Sequence, residues 1–164
     1  MKIFNRFRQK RVNEDTKPSA TPSSTPTIDD ISLIWVRIGV EERAALFILL
    51  DSDGTVNRLG TGAVDNSEND FYIGKTTEAL FQKLHSQIDP GWFSHMGSSY
   101  TMPEQKGKAC ELIVGFVLRD GRGSSLKFKY GSESQGPPDD IIQFVIKAAK
   151  LTDPWYERFR EARK

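Results

Sequence analysis

The sequence holds one cysteine and two histidines, and no apolar run in it approaches the ~18 residues of a membrane span. With Cys110 alone, no disulfide can form within the chain, and Cys110, His85 and His95 are too few ligands for a zinc site. A reducing, cytoplasmic setting fits that cysteine usage best. The N-terminus is basic, but Ile3, Phe4 and Phe7 are interrupted by Asn5, Arg6 and Arg8. That leaves no apolar stretch of about 7–15 residues, so no cleaved secretory signal is expected. No internal repeat of about 20–50 residues is present, which excludes solenoids and propellers.

Charge is distributed unevenly. Residues 1–27 carry Lys2, Arg6, Arg8, Lys10, Arg11 and Lys17 against Glu14 and Asp15, a net of +4, which leaves −3 for residues 28–164 of a +1 chain. Thr16–Thr27 reads TKPSATPSSTPT and has no large apolar side chain. Such a segment cannot bury enough surface to offset the entropy of ordering it. Residues 1–27 are therefore expected to be a disordered basic arm and Pro/Ser/Thr-rich linker, with one domain over 28–164. Lys2, Arg6, Arg8, Lys10 and Arg11 surround three apolar side chains, and each basic residue contributes on the order of 1 kcal/mol on an anionic membrane. Weak membrane-surface contact is one role for the arm, beside an RNA-binding tail, a transport address and a plain solubilising tail. The acidic domain lacks the concentrated basic face that a nucleic-acid backbone requires, so no nucleic acid is expected to bind it.

The domain reads as alternating strands and turns followed by helices. Ile31–Gly39 is rich in β-branched and aromatic residues, and Ala44–Leu50 is apolar throughout. Asp51-Ser52-Asp53-Gly54 is turn chemistry, Thr55–Leu59 a return strand, and Phe71–Ile73 a short fourth strand. Leu80, Phe81, Leu84 and Ile88 form one helical stripe, which predicts a helix over Thr76–Ile88, stopped by Pro90-Gly91. Ala109–Arg119 is the most apolar strand, and Asp120–Gly123 turns it into Ser125–Tyr130. In that last strand Leu126, Phe128 and Tyr130 alternate with Lys127 and Lys129. Pro137–Asp140 opens a helix with the stripe Ile141, Ile142, Val145, Ala148 and Ala149, and Asp153-Pro154 starts a separate last helix. The implied fold is α+β: two layers, a mainly antiparallel sheet of about five to six strands, and two or three helices on one face.

The sharpest chemical motif is Phe47–Val56, FILLDSDGTV. An apolar strand followed by Asp-x-Asp-Gly-Thr resembles the first motif of the haloacid-dehalogenase-like phosphatases. The resemblance covers about ten residues. It implies Asp51 as phosphoryl-accepting nucleophile and Asp53 as general acid/base, with Mg²⁺ neutralising charge. A tight β-turn needs the same residues, because Asx side chains and glycine are what it is made of. An EF-hand reading fails, since the twelfth position from Asp51 is Gly62 instead of a glutamate. A P-loop reading of Ile73–Thr76 fails as well, since the first glycine it needs is replaced by Asn69.

Asp89–Lys108 has no periodic pattern but carries Trp92, Phe93, His95, Met96, Tyr100 and Met102. A loop this long inside a domain is functional or disordered more often than not, and so many large side chains argue against disorder. Either it packs over the core or it presents an aromatic and methionine surface to a partner. His95 beside Ser94, Ser98 and Ser99 lacks a nucleophile elbow and an acidic partner.

No complete catalytic constellation and no cofactor motif is present, so the pattern favours a non-catalytic protein-interaction module of immunity, adaptor or regulatory type. Its expected binding residues are Trp92, Phe93, His95, Tyr100 and Met102, and its expected partner is another protein. The alternatives are a peripheral membrane domain tethered by the basic arm and a Mg²⁺-dependent phosphoryl-transfer enzyme using Asp51 and Asp53.

Overall fold

A computed structural model of the chain describes residues 25–63, 70–77 and 79–162. The arm, with Lys2, Arg6, Arg8, Lys10 and Arg11, lies outside the described residues except for 25–27. Seven strands form one sheet: β1 (Ile31–Val40), β2 (Arg43–Asp51), β3 (Thr55–Leu59), β4 (Phe71–Lys75), β5 (Ser99–Thr101), β6 (Ala109–Leu118) and β7 (Gly123–Gly131). Their spatial order is β4-β3-β2-β1-β6-β7-β5. Every neighbouring pair is antiparallel except β5, which lies parallel to β7.

The α+β class holds, but the sheet is mixed and wider than the five to six strands the sequence implies. The extra strand is β5. Its three residues, Ser-Tyr-Thr, are too short and too polar for an alternating pattern to show. Backbone pairing, with Gly97 N–H donating to Ser125 O (2.9 Å) and Met102 N–H to Lys129 O (2.8 Å), holds it in place.

Two further expectations change. The helix predicted over 76–88 is only α1, Leu80–His85. Thr76 N–H bonds instead to Gly54 O (3.0 Å), which keeps it with the sheet, and Ala79 offers no side-chain cap. The two predicted C-terminal helices are one, α2, Asp139–Glu161, which runs through Pro154. Proline removes one helical hydrogen bond and crowds the preceding turn. Arg58 of β3 enters at that point: its guanidinium donates to Ala149 O (3.2 Å), to Thr152 Oγ1 and to Asp153 Oδ1 (2.9 Å), and lies over the Tyr156 ring. A buried cation thus ties the sheet to the helix where the proline would loosen it.

Strand alternation sorts the two faces of the sheet. Ile34 and Val36 of β1, Leu46, Ile48 and Leu50 of β2, Leu112, Val114 and Phe116 of β6, and Leu126 and Phe128 of β7 share one core with α1 and with Ile141, Phe144, Trp155 and Tyr156 of α2. The alternate residues Leu33, Trp35, Phe47, Leu49, Leu59 and Val117 point the other way and are half-buried. Trp35 lies flat against Gly115, its partner across β1 and β6; a Cβ on Gly115 would overlap the indole. Glycine there is a packing requirement.

Candidate functional site

Asp51 and Asp53 close the β2–β3 hairpin. Asp51 Oδ1 accepts from Asp53 N–H (3.0 Å), Asp51 O from Gly54 N–H (3.0 Å), and Asp53 Oδ1 from Thr55 N–H (2.8 Å). Gly54 takes φ +88°, which its lack of a Cβ permits. Lys75 Nζ stands 3.1 Å from Asp53 Oδ2. The Thr55 hydrogen bonds, with help from Lys75, hold the Asp53 carboxyl down at about 2. A carboxyl that acidic stays ionised and is poorly matched to general acid work near neutral pH. The phosphatase resemblance also requires a parallel, Rossmann-like sheet, whereas β2 and β3 are an antiparallel hairpin. The cavity beside the turn is about 180 Å³, below the ~300 Å³ at which ligand pockets begin.

The 89–108 segment is built rather than loose. Asp89 caps a 3-10 turn, Pro90–His95, by accepting from Gly91 N–H (2.8 Å), with Pro90 in the first position. The turn brings Trp92 inward until it is 7% exposed, edge-on to Phe144 at 5.2 Å, with Nε1 donating to Asp140 Oδ2 (2.8 Å). Phe93 stacks on Phe116 with an interplanar angle of 2°. Tyr100 stacks on Phe128 (5.3 Å), and its hydroxyl lies 3.3 Å from His95 Nδ1. The Ser94 hydroxyl donates to Gly91 O (2.8 Å), so it is occupied by the turn and not by His95.

Two grooves flank this turn. Trp92, His95, Tyr100 and Met102 line an open one of about 300 Å³, whose floor is Leu126, Phe128 and Ile141 and whose rim carries Pro138 and Asp140. Phe93 lies on the other side. With Met96, Phe116 and Leu118 it lines a groove of about 470 Å³ that Pro26 and Arg122 border. Four of the five residues nominated from sequence therefore converge, and Phe93 does not join them. Trp92 contributes its edge to the wall, whereas His95 is exposed and Tyr100 and Met102 half-exposed.

Sequence reasoning missed the floor and rim. Leu126 and Phe128 read only as core, and Pro138 and Asp140 only as a helix start. No sequence signal reports that Asp140 receives the Trp92 N–H across the groove. Among the described residues, no group of three or more His, Cys, Asp or Glu side chains is placed to hold a metal ion, and no helix is long and apolar enough to cross a membrane. No protein-family model matches the chain, and no curated protein matches it either.

Proposed function

We propose that the chain is a non-catalytic protein-interaction module whose binding surface is the groove between the Pro90–His95 turn and the start of α2. The observation that carries this reading is the convergence of Trp92, His95, Tyr100 and Met102 on one open groove with a Leu126, Phe128 and Ile141 floor. Aromatic rings held by stacking make a rigid apolar wall, and Met102 supplies an adaptable one. The groove takes one bulky apolar side chain. Its rim is anionic, with Asp140 at the edge and Asp139 beside it, both exposed. The fitting occupant is a partner segment that places a Leu, Met or aromatic side chain next to a lysine or arginine.

Selection of a random displayed-peptide library on the immobilised chain tests this. The expected consensus is one bulky apolar residue adjacent to a basic one, with binding lost in Met102→Glu and weakened in Asp140→Asn. Met102 is half-exposed but packs on the core, so Met102→Glu should lower the melting temperature modestly, and His95→Ala, at an exposed wall position, should weaken binding with a melting curve close to that of the native chain. A consensus that binds Met102→Glu as well as the native chain, or no consensus at all, would overturn the reading.

A further inference from the structure

The two edges of the sheet are finished differently. At one end β5 is three residues long and carries Ser99 and Thr101 outward, a short polar edge of the kind that discourages further pairing. At the other end, β4 is five residues long, without proline or a bulge, and carries one charge, Lys75. Three of the four most exposed large apolar side chains gather at this second edge. Phe71 is 45% and Ile73 64% exposed on the open face of the sheet. Phe159, 38% exposed, stands on the helix side over Gly74 and Tyr72.

Backbone parity makes the edge a template. Thr76 N–H bonds to Gly54 O, and the β3–β4 register pairs Val56 with Gly74 and Arg58 with Tyr72. In an antiparallel ladder the bonded pairs recur every second residue, so the even residues of β4 face β3. The backbone groups of Phe71, Ile73 and Lys75 then point outward, and among the described residues no strand pairs with them.

We propose that this edge pairs with the same edge of a second copy, antiparallel about a two-fold axis through Ile73. That register sets Ile73 against Ile73 of the second copy and Phe71 against its Lys75. All three outward residues then exchange bonds, about six in total. No like charges meet, because each Lys75 faces a phenyl ring. The pairing is isologous and closed, so it stops at two copies. It also continues the cross-strand row Trp35–Leu49–Asn57–Ile73 directly into its symmetry mate. One strand plus its flanking side chains is a small interface, which points to an affinity on the order of micromolar. This surface is separate from the groove at the Pro90–His95 turn, so either proposal stands or falls without the other.

Sedimentation equilibrium of the full chain across the micromolar range tests it. The expected mass rises from the 18.5 kDa of one chain toward twice that value and no further. Ile73→Lys sets two cations against each other at the axis and should weaken association about tenfold or more, with a melting curve that matches the native chain's at concentrations too low for pairing, because the side chain is exposed. Ile73→Pro removes an N–H that points away from β3, so it should break the pairing while leaving the β3–β4 ladder. If that variant fails to fold, Ile73→Lys carries the test. Met102→Glu should dimerise like the native chain. A native chain that stays at one chain mass throughout, or an Ile73→Lys variant that associates as strongly as the native chain, would overturn the proposal.

Discussion

Arg58 Nη2 sits 2.9 Å from Asp153 Oδ1, and the two partners are buried very unequally: the Arg58 side chain is 1% exposed and that of Asp153 51%. Burial lowers the guanidinium pKa, and the Asp153 carboxylate acts in the opposite direction. The rest of the guanidinium is satisfied by Gly60 O (3.1 Å), Ala149 O and Thr152.

From this asymmetry, Arg58→Ala should cost about 3–5 kcal/mol in urea unfolding, because it orphans buried acceptors on both the sheet and the helix. Asp153→Ala should cost about 1–2 kcal/mol, since the carboxylate is half in water and the guanidinium keeps its other partners. Arg58→Lys should fail to restore stability, because an ammonium cannot reach three diverging acceptors. Equal losses for Arg58→Ala and Asp153→Ala would contradict this account.

The β1–β2 hairpin turns on Glu41 and Glu42, both left-handed, with φ of 48° and 68°. Two-residue hairpins favour this geometry, but Asn-Gly adopts it far more readily than Glu-Glu. Replacing the pair with Asn-Gly should raise stability by about 1 kcal/mol, read as a higher melting temperature. An unchanged or lower melting temperature would contradict the left-handed assignment.

Trp92 anchors the groove wall. Trp92→Ala should cost about 3–5 kcal/mol through the cavity left against Phe144. Trp92→Phe should cost about 1 kcal/mol, mainly for the lost bond to Asp140. Alanine at Trp92 is therefore a poor probe of binding, since it disturbs the core. His95, exposed on the wall, is the position at which binding and folding separate most cleanly, because Met102 packs on the core and Asp140 holds the Trp92 N–H.

The carboxyl of Asp53, held at about 2 against an ordinary 3.8, carries a pH signature. A depressed carboxyl pKa contributes stability above the unfolded value, and that contribution is lost as pH falls from about 3.8 through about 2. A carboxyl ¹³C titration should place the Asp53 midpoint near 2. Thr55→Val, which removes the largest single cause, and Lys75→Met should each move it up. A midpoint already near 3.8 in the native chain would contradict the Thr55 and Lys75 contacts to the Asp53 carboxyl.

Much of the strand framework was legible because alternation and turn residues are local. The Asp51–Gly54 turn and the Leu126, Phe128 alternation appear where their side-chain chemistry puts them, and the turn expected at Asp120–Gly123 lies one residue earlier, between Leu118 and Gly123. What was not legible depends on partners far away in the chain. Pro154 reads as a helix break until Arg58, almost a hundred residues earlier, is placed against the preceding turn. Ser99–Thr101 becomes a strand only because β7 offers it an edge. The aromatic content of 89–108 was visible. That it divides into an inward Trp92, a stacked Phe93 and Tyr100, and a groove wall completed by β7 and α2 was not.

An NMR map of a selected apolar-basic peptide on the native chain decides whether the groove at the Pro90–His95 turn is the binding surface. The largest shifts should fall at the Trp92 indole N–H, His95, Tyr100, Met102 and Asp140, with the Asp51–Thr55 turn unmoved. Shifts centred on the Asp51–Thr55 turn, or confined to the open face at Trp35 and Leu49, would contradict it.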